Sequence, residues 1–173
     1  MQIKNAMSST RIIIRDYLNT DLAFVTSMWL DKENGKYLSD PVRDFVDDIF
    51  QKALDGMENN PKGYYLVIEA KDKQCPIGSC CMFPDTEKKS YEIGYCIHKE
   101  YWEQGYGSEA VLLIKEWIRK HGGNEIIAEV AKENQASNLL LKKLGFEIIR
   151  ESKFEKYKMN IHYESHIYRL ALN

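Results

Sequence analysis

From Tyr101 to Ala110 the chain reads Tyr-Trp-Glu-Gln-Gly-Tyr-Gly-Ser-Glu-Ala, with two glycines at the mouth of an amphipathic helix. A helix N-terminus leaves amide N–H groups without intrahelical partners, and the helix dipole adds partial positive charge there. Glycine removes the side chain that holds an anion away. The chemistry on offer is the binding of a phosphate-bearing ligand, a nucleotide or a coenzyme. Gly-x-Gly also occurs in loops that need only positive φ. What favours a site is the context: a strand-like run before, a helix after, and a second loop-and-helix element about thirty residues on. No Gly-Lys-Ser/Thr follows, so this is not a P-loop. Gly105, Gly107 and Ala110 do fit the small-residue positions of a dinucleotide fingerprint, and Glu129 lies near the expected ribose-binding acid. A nicotinamide-dependent oxidoreductase is therefore a rival. Against it, Lys99 to Gln104 separate strand from glycine, too much chain for that tight turn. Too little chain follows for the βαβ units a doubly wound sheet needs.

The elements that must position this loop follow from pattern. Arg11 to Tyr17 is a β-branched run and predicts the first strand. Asn19-Thr20-Asp21 can cap a helix reaching about Trp29. Asp40-Pro41 predicts the start of a second helix, with Val42, Phe45, Val46, Ile49 and Phe50 on one face. Residues 64–70, 77–83 and 91–98 read as strands. Gly107 to His121 reads as a helix with Ala110, Val111, Ile114, Trp117 and Ile118 inward, stopping at Gly122-Gly123. A strand over 126–130, a helix from Asn134 to Leu144, and closing antiparallel strands over 146–151 and 163–170 complete the chain. The prediction is a single mixed α/β domain over residues 1–173, in the order β-α-α-β-β-β-α-β-α-β-β.

Composition narrows the function classes. At 173 residues, 44% hydrophobic and 29% charged, the chain suits one globular domain. A net charge of −2 without a Lys/Arg stripe argues against a nucleic-acid partner. Its apolar runs fall short of a membrane span, and the N-terminus lacks the apolar core of a signal peptide, so a cytoplasmic protein is expected. Cys75, Cys80, Cys81 and Cys96 form no Cys-x-x-Cys pair, so no zinc site is expected and the thiols read as reduced packing residues. Cys96, close to His98, keeps a minor alternative as a catalytic thiol. His162 and His166 lie in a period-two pattern, which predicts a strand and removes a helical metal pair.

Three segments together resemble the GNAT-type N-acetyltransferases, most closely the ribosomal-protein N-terminal acetyltransferase branch. Glu92-Ile93-Gly94-Tyr95-Cys96-Ile97 resembles the family's fourth strand. Tyr101-Trp102 with Gly105 to Ala110 resembles its pyrophosphate loop and helix. Asn134-Gln135-Ala136-Ser137, followed by Lys143-Leu144-Gly145-Phe146, resembles its next loop and helix. The resemblance spans Thr10 to Leu170. It implies a GNAT-like, largely antiparallel central sheet with flanking helices, acetyl-CoA as co-substrate, and a primary amine as acceptor. That amine is a protein N-terminus or a small molecule.

On this resemblance the backbone of Gln104, Gly105, Tyr106, Gly107, Ser108 and Glu109 receives the coenzyme pyrophosphate. The pantetheine amides pair with a splayed strand edge. Gly94 then marks a bulge or a close approach, and an N–H near Ile97 polarises the thioester carbonyl. Asn134 is a pantetheine ligand or a helix cap. The family's tyrosine acid falls at Leu141 here. Ser137 resembles the serine given that role in the ribosomal-protein branch, and it can equally serve as a capping or packing serine. Trp102 replaces the Gln or Arg common before the loop glycines. Glu92 is the expected general base, with Glu69 as second choice. The acceptor side is expected from the first helices, their loop and the closing hairpin, where Phe154, Tyr157 and Tyr163 lie. The aspartates Asp40, Asp44, Asp47 and Asp48 can attract an amine cation or simply face solvent. A monomer or homodimer, without metal, is expected. A silent acetyl-CoA sensor stays open as an alternative.

Overall fold

The computed structural model describes residues 1–40 and 46–172. Its strands are β1 (Met7–Ser8), β2 (Ile12–Asp16), β3 (Tyr64–Ala70), β4 (Cys75–Asp85), β5 (Ser90–Ile97), β6 (Glu125–Ala131), β7 (Glu147–Lys156) and β8 (Ile161–Ala171). The helices are α1 (Leu22–Trp29), α2 (Asp48–Asp55), α3 (Tyr106–Lys120) and α4 (Gln135–Lys143). The strands form one sheet in the order β1-β2-β3-β4-β5-β6-β8-β7. Every pairing is antiparallel except β5 with β6. This is the expected mixed, largely antiparallel sheet with flanking helices.

Side chains alternate across a strand, so each helix pair finds its own apolar face. On one face Ile12, Ile68, Met82, Ile93 and Ile126 pack against Ala110, Val111, Ile114 and Ile118 of α3 and Leu141 of α4. On the other face Tyr17 and Val67 pack against Val25 of α1 and Phe50 and Leu54 of α2. Leu141 is wholly buried core.

The elements depart from expectation at their ends. A two-residue β1 precedes the expected first strand. Asn19–Asp21 form a 3-10 turn rather than a capped α-helical start. The expected beginning of the second helix at Pro41, with Val42 and Phe45, lies outside the described residues. The observed α2 starts at Asp48, where the Asp47 carboxylate accepts the Phe50 N–H at 2.8 Å. The closing hairpin is much longer than expected. Residues 152–156 are largely polar, so no apolar alternation announces them, yet they pair in register from Ser152↔Ser165 to Lys156↔Ile161. The β4–β5 register runs unbroken through Gly94, so the expected bulge there is absent. A Cβ on Gly94 would lie 3.0 Å from the Cys81 sulfur, so the close approach is made by a side chain.

Candidate active site

The parallel pairing of β5 and β6 begins at Ser90↔Glu125 and ends at Glu92↔Ile127. Beyond Glu92 the two strands separate, although β5 runs on to Ile97 and β6 to Ala131. The His98 N–H donates to Ile77 O at 2.8 Å. Antiparallel alternation then turns the backbone groups of Cys96 and Gly94 toward β4, and those of Ile97, Tyr95 and Ile93 toward β6. The N–H groups of Tyr95 and Ile97 therefore face the split. The Ile97 carbonyl is already occupied: it accepts from Trp102 Nε1 at 2.7 Å and from Asn34 Nδ2 at 2.9 Å. The far end of this strand edge thus presents a donor without a competing acceptor. Through that bond Trp102 anchors the turn that leads from the split to α3.

The first turn of α3 opens onto the same end. Gly105 is its N-cap, in the left-handed region at φ 81°, and no side chain caps the helix. The amides of Gly105, Tyr106, Gly107 and Ser108 are the N–H groups that an α-helix leaves unpaired at this end. A Cβ on Gly107 would sit 3.0 Å from Leu140 Cδ1, so α4 packs closely over this turn. The ring of Tyr106 is buried; only its backbone is available to a ligand. Gln104 is held on both sides: its carbonyl accepts from Arg11 Nη1 at 2.9 Å and its side-chain amide donates to Glu100 O at 3.1 Å.

Glu109, unlike the residues before it in this turn, has no free N–H to offer a phosphate. Its N–H is spent within the helix, on Gly105 O at 3.2 Å. Its carboxylate accepts from Arg11 Nε at 2.7 Å and from the Ser9 hydroxyl. Burial raises the Glu109 pKa, but the Ser9 and Arg11 bonds outweigh it and hold the group below its usual range. Glu109 is a strut that ties the loop to the start of β2. Arg11 has the same task from the other side, with its guanidinium 4.7 Å from the Tyr106 ring centre. No sequence signal announced that pairing across 98 positions.

On the β6 side, Asn134 caps α4, its Oδ1 accepting the Ser137 N–H at 3.2 Å. Ser137 is half-buried in that first turn. Asn138, which sequence reasoning missed, is buried and locks the turn in place. Its amide donates to Ala131 O at 2.9 Å, and its Oδ1 accepts from Tyr168 Oη at 2.7 Å.

Glu92 stands at the last paired position before the split and is exposed. Its neighbour Ile93 points into the α3 core, so Glu92 points to the α1–α2 face. Glu69 is placed elsewhere: it pairs with Arg15 at 2.7 Å, two strands from the split. Cys96 is no nucleophile. Burial pushes its thiol up to about 12 against a contact with Asn34, so it stays protonated at neutral pH. Cys81 behaves alike, pushed up to about 12 chiefly by burial, with the charges of Glu92 and Asp40 adding to the effect. Both carboxylates therefore lie near one patch of this face.

Residues 31–40 cover the α1–α2 face at the end of β5. Asp31 accepts from Lys99 Nζ at 2.9 Å, and Asn34 Oδ1 accepts the Lys99 N–H at 2.6 Å. The hairpin holds the other side of the loop. Lys156 is almost fully buried and its ammonium donates to the carbonyls of Gly35, Leu38 and Asp40. Burial lowers its pKa to about 8, and the Asp40 charge opposes this. Tyr163 Oη donates to Lys36 O at 2.8 Å, and the Tyr163 ring meets Tyr37 edge-on and Phe154 at a tilt. Tyr157 is half exposed, and its N–H donates to Ser39 O at 2.8 Å. Ser39, Asp40, Glu155, Tyr157 and Lys158 line an open pocket of about 500 Å³. Asp44 lies outside the described residues. Asp47 is a helix cap.

Among the described residues no group of three His, Cys, Asp or Glu side chains is clustered to hold a metal ion. His162 and His166 both lie on β8, as their period-two pattern predicted. Glu129, the ribose-binding acid of the dinucleotide reading, sits on β6 and accepts the Ser165 hydroxyl at 2.6 Å.

Comparison with known proteins agrees with this geometry. Residues 11–147 match the acetyltransferase (GNAT) domain family. The uncharacterised N-acetyltransferase YnaD of Bacillus subtilis (strain 168) is 27% identical over 151 residues, 87% of this chain and 86% of that protein. Among solved structures, the Salmonella typhimurium acetyltransferase that modifies the N-terminal serine of ribosomal protein L7/L12 superposes with a TM-score of 0.81 at 15% identity. That match covers 98% of this chain and 100% of the other. The spermidine N-acetyltransferase of Vibrio cholerae, solved with CoA and spermine, gives a TM-score of 0.81 at 14% identity, covering 94% and 96%. The family match spans most of the chain and removes the oxidoreductase reading: this protein belongs to the GNAT family and is an acetyl-CoA-dependent N-acetyltransferase.

Proposed function

We propose that this enzyme acetylates a primary amine by direct attack within a ternary complex of acetyl-CoA and acceptor. The observation that carries the reading is the split that opens immediately after Glu92 and ends beneath the uncapped mouth of α3. The amides of Gly105 to Ser108 receive the pyrophosphate, and the pantetheine lies along the Tyr95–Ile97 edge as an added strand. Strand rise is about 3.3 Å per residue, so Tyr95 is about 10 Å and Ile97 about 17 Å along β5 from Glu92. A general base must stand within one amine of the thioester carbon. The Tyr95 N–H is therefore the better oxyanion donor, and the Ile97 N–H serves the pantetheine.

Glu92 takes a proton from the acceptor ammonium, directly or through water. The amine lone pair attacks the carbonyl carbon, the C–S bond breaks with its electron pair leaving on sulfur, and the nitrogen sheds its second proton to solvent as the amide forms. A thiolate is a good leaving group, so Ser137 has only to stabilise it by a hydrogen bond. The acceptor enters over the α1–α2 face, beside residues 31–40 and the hairpin aromatics. Two structural neighbours act on amines of different size, a protein N-terminus and spermidine, which supports an amine acceptor here without choosing its size. The four described cysteines are all free, which fits a reducing compartment such as the cytoplasm.

Thermal shift with acetyl-CoA, followed by turnover against a broad amine panel, tests the reading. Stabilisation by mass action and acetylation of at least one amine are expected. Stabilisation without turnover across the panel favours a silent acetyl-CoA sensor instead. A separate expectation concerns the two residues at the start of α4. Asn134→Ala should mainly weaken coenzyme binding, because its contact exists before chemistry. Ser137→Ala should mainly lower kcat, because a leaving thiolate exists only after the C–S bond begins to break. Steady-state kinetics with measured coenzyme Kd separates the two. Full turnover in Ser137→Ala makes that serine structural.

A further inference from the structure

Tyr95 lies on β5 with its backbone toward the split and its side chain on the α3–α4 face. The ring passes under the first turn of α3, with Cε2 3.9 Å from where a Gly107 Cβ would stand. It reaches the first turn of α4, where Ser137 sits beside its hydroxyl but outside hydrogen-bonding geometry. Among the described residues the Tyr95 hydroxyl is buried and has no hydrogen-bond partner. A buried hydroxyl left unpaired costs free energy, and few are tolerated in a native fold without a reason. The Tyr17 hydroxyl is the other such group, and it belongs to the α1–α2 cluster, away from the split. Tyr95 is different because it stands next to the residue that faces the leaving group.

Resting on the acetyl-transfer reading above, we propose that Tyr95 is a positioning residue for Ser137. With coenzyme in the split, the Tyr95 hydroxyl donates to Ser137 Oγ. A serine hydroxyl has one proton and two acceptor sites. Once it accepts from Tyr95, its own proton is free to point at the sulfur, and the chain of two hydrogen bonds strengthens the second. The strand thus supplies the phenol that is missing from the helix at Leu141, but as a support to a serine. No proton leaves Tyr95. Burial pushes its pKa up to about 12, opposed by the Ser137 contact, so the phenol remains a donor throughout the neutral range. When the C–S bond breaks, the electron pair resides on sulfur and is met by the Ser137 O–H. The free thiol gains its proton from solvent.

Tyr95→Phe, Ser137→Ala and the double variant test this in a double-mutant cycle. Tyr95→Phe should lower kcat by about tenfold and leave coenzyme Kd within about twofold. Its melting temperature should hold or rise, because the substitution removes an unpaired buried group. In the Ser137→Ala background Tyr95→Phe should have no further effect on kcat. Additive losses, a normal kcat in Tyr95→Phe, or a loss confined to coenzyme Kd each overturn the proposal. The last would make Tyr95 a coenzyme ligand. A wild-type enzyme that acetylates no amine overturns the acetyl-transfer reading itself, which separates the two failures.

Discussion

Gly107→Asp should lower acetyl-CoA affinity by roughly a hundredfold, the value of one or two charge-assisted hydrogen bonds replaced by repulsion. The reason lies in the uncapped first turn of α3. An aspartate there offers its carboxylate to the same amides that receive phosphate, and the helix dipole favours it. The helix itself gains nothing harmful from that charge, so the loss belongs to binding. The space is a separate matter. A Cβ on Gly107 would stand 3.0 Å from Leu140 Cδ1, the far end of a flexible side chain. Gly107→Ala is the control for that contact and should cost far less affinity than the aspartate. Calorimetric titration of both variants, with CoA and with an acetylpantetheine that lacks the pyrophosphate, checks the assignment. The aspartate should erase the preference for the full coenzyme. Unchanged CoA affinity in a folded Gly107→Asp protein removes this loop from the site.

Much of this arrangement is legible without coordinates because it depends on local chemistry. The α3 mouth announces itself through Gly105 and Gly107, the apolar positions of α3 through their spacing, and α4 through the Asn134 cap. The split is legible only by resemblance, since nothing in Glu92 to Ile97 says where pairing with β6 stops. The residues that were missed act across long stretches of chain. Asn34 reaches Ile97 across 63 positions, Arg11 reaches Glu109 across 98, and Lys156 reaches Gly35 across 121. Each is a polar side chain whose type fits a solvated surface equally well. Glu109 is a case in point: its position at a helix N-terminus is visible in the sequence, but its capture by Arg11 and Ser9 is not. The polar half of the closing hairpin escaped too, because a period-two signal needs an apolar face and residues 152–156 have almost none.

These long-range bonds also connect the two halves of the chemistry. Asn34 binds the carbonyl of Ile97, the last residue of the strand that lines the split, while the same loop, six residues later, ends on the Lys156 ammonium. Residues 31–40 are therefore clamped to the end of β5 by Asn34 and Asp31, and to the hairpin by Lys156 and Tyr163. An acceptor that orders this loop also orders the Ile97 edge.

Glu92→Gln should lower kcat/KM by roughly a hundredfold at neutral pH, the ordinary worth of a positioned base. An amine arrives as an ammonium, and no attack is possible until it loses a proton. Glutamine keeps the shape and hydrogen-bonding capacity but has no basic site. Because Glu92 is exposed and points away from the α3 core, the variant should melt with the wild type and bind coenzyme with unchanged Kd. The rate should return in part at alkaline pH, where the acceptor deprotonates unaided. The pH of that return also reports the acceptor: about 8 for a protein α-amine and above 10 for an aliphatic side-chain-like amine. Full pH–rate profiles of wild type and Glu92→Gln measure both effects. A near-normal rate for the variant across the whole range removes Glu92 from the mechanism. Glu69 is held in its ion pair with Arg15, two strands from the split, so the proton would then pass to solvent.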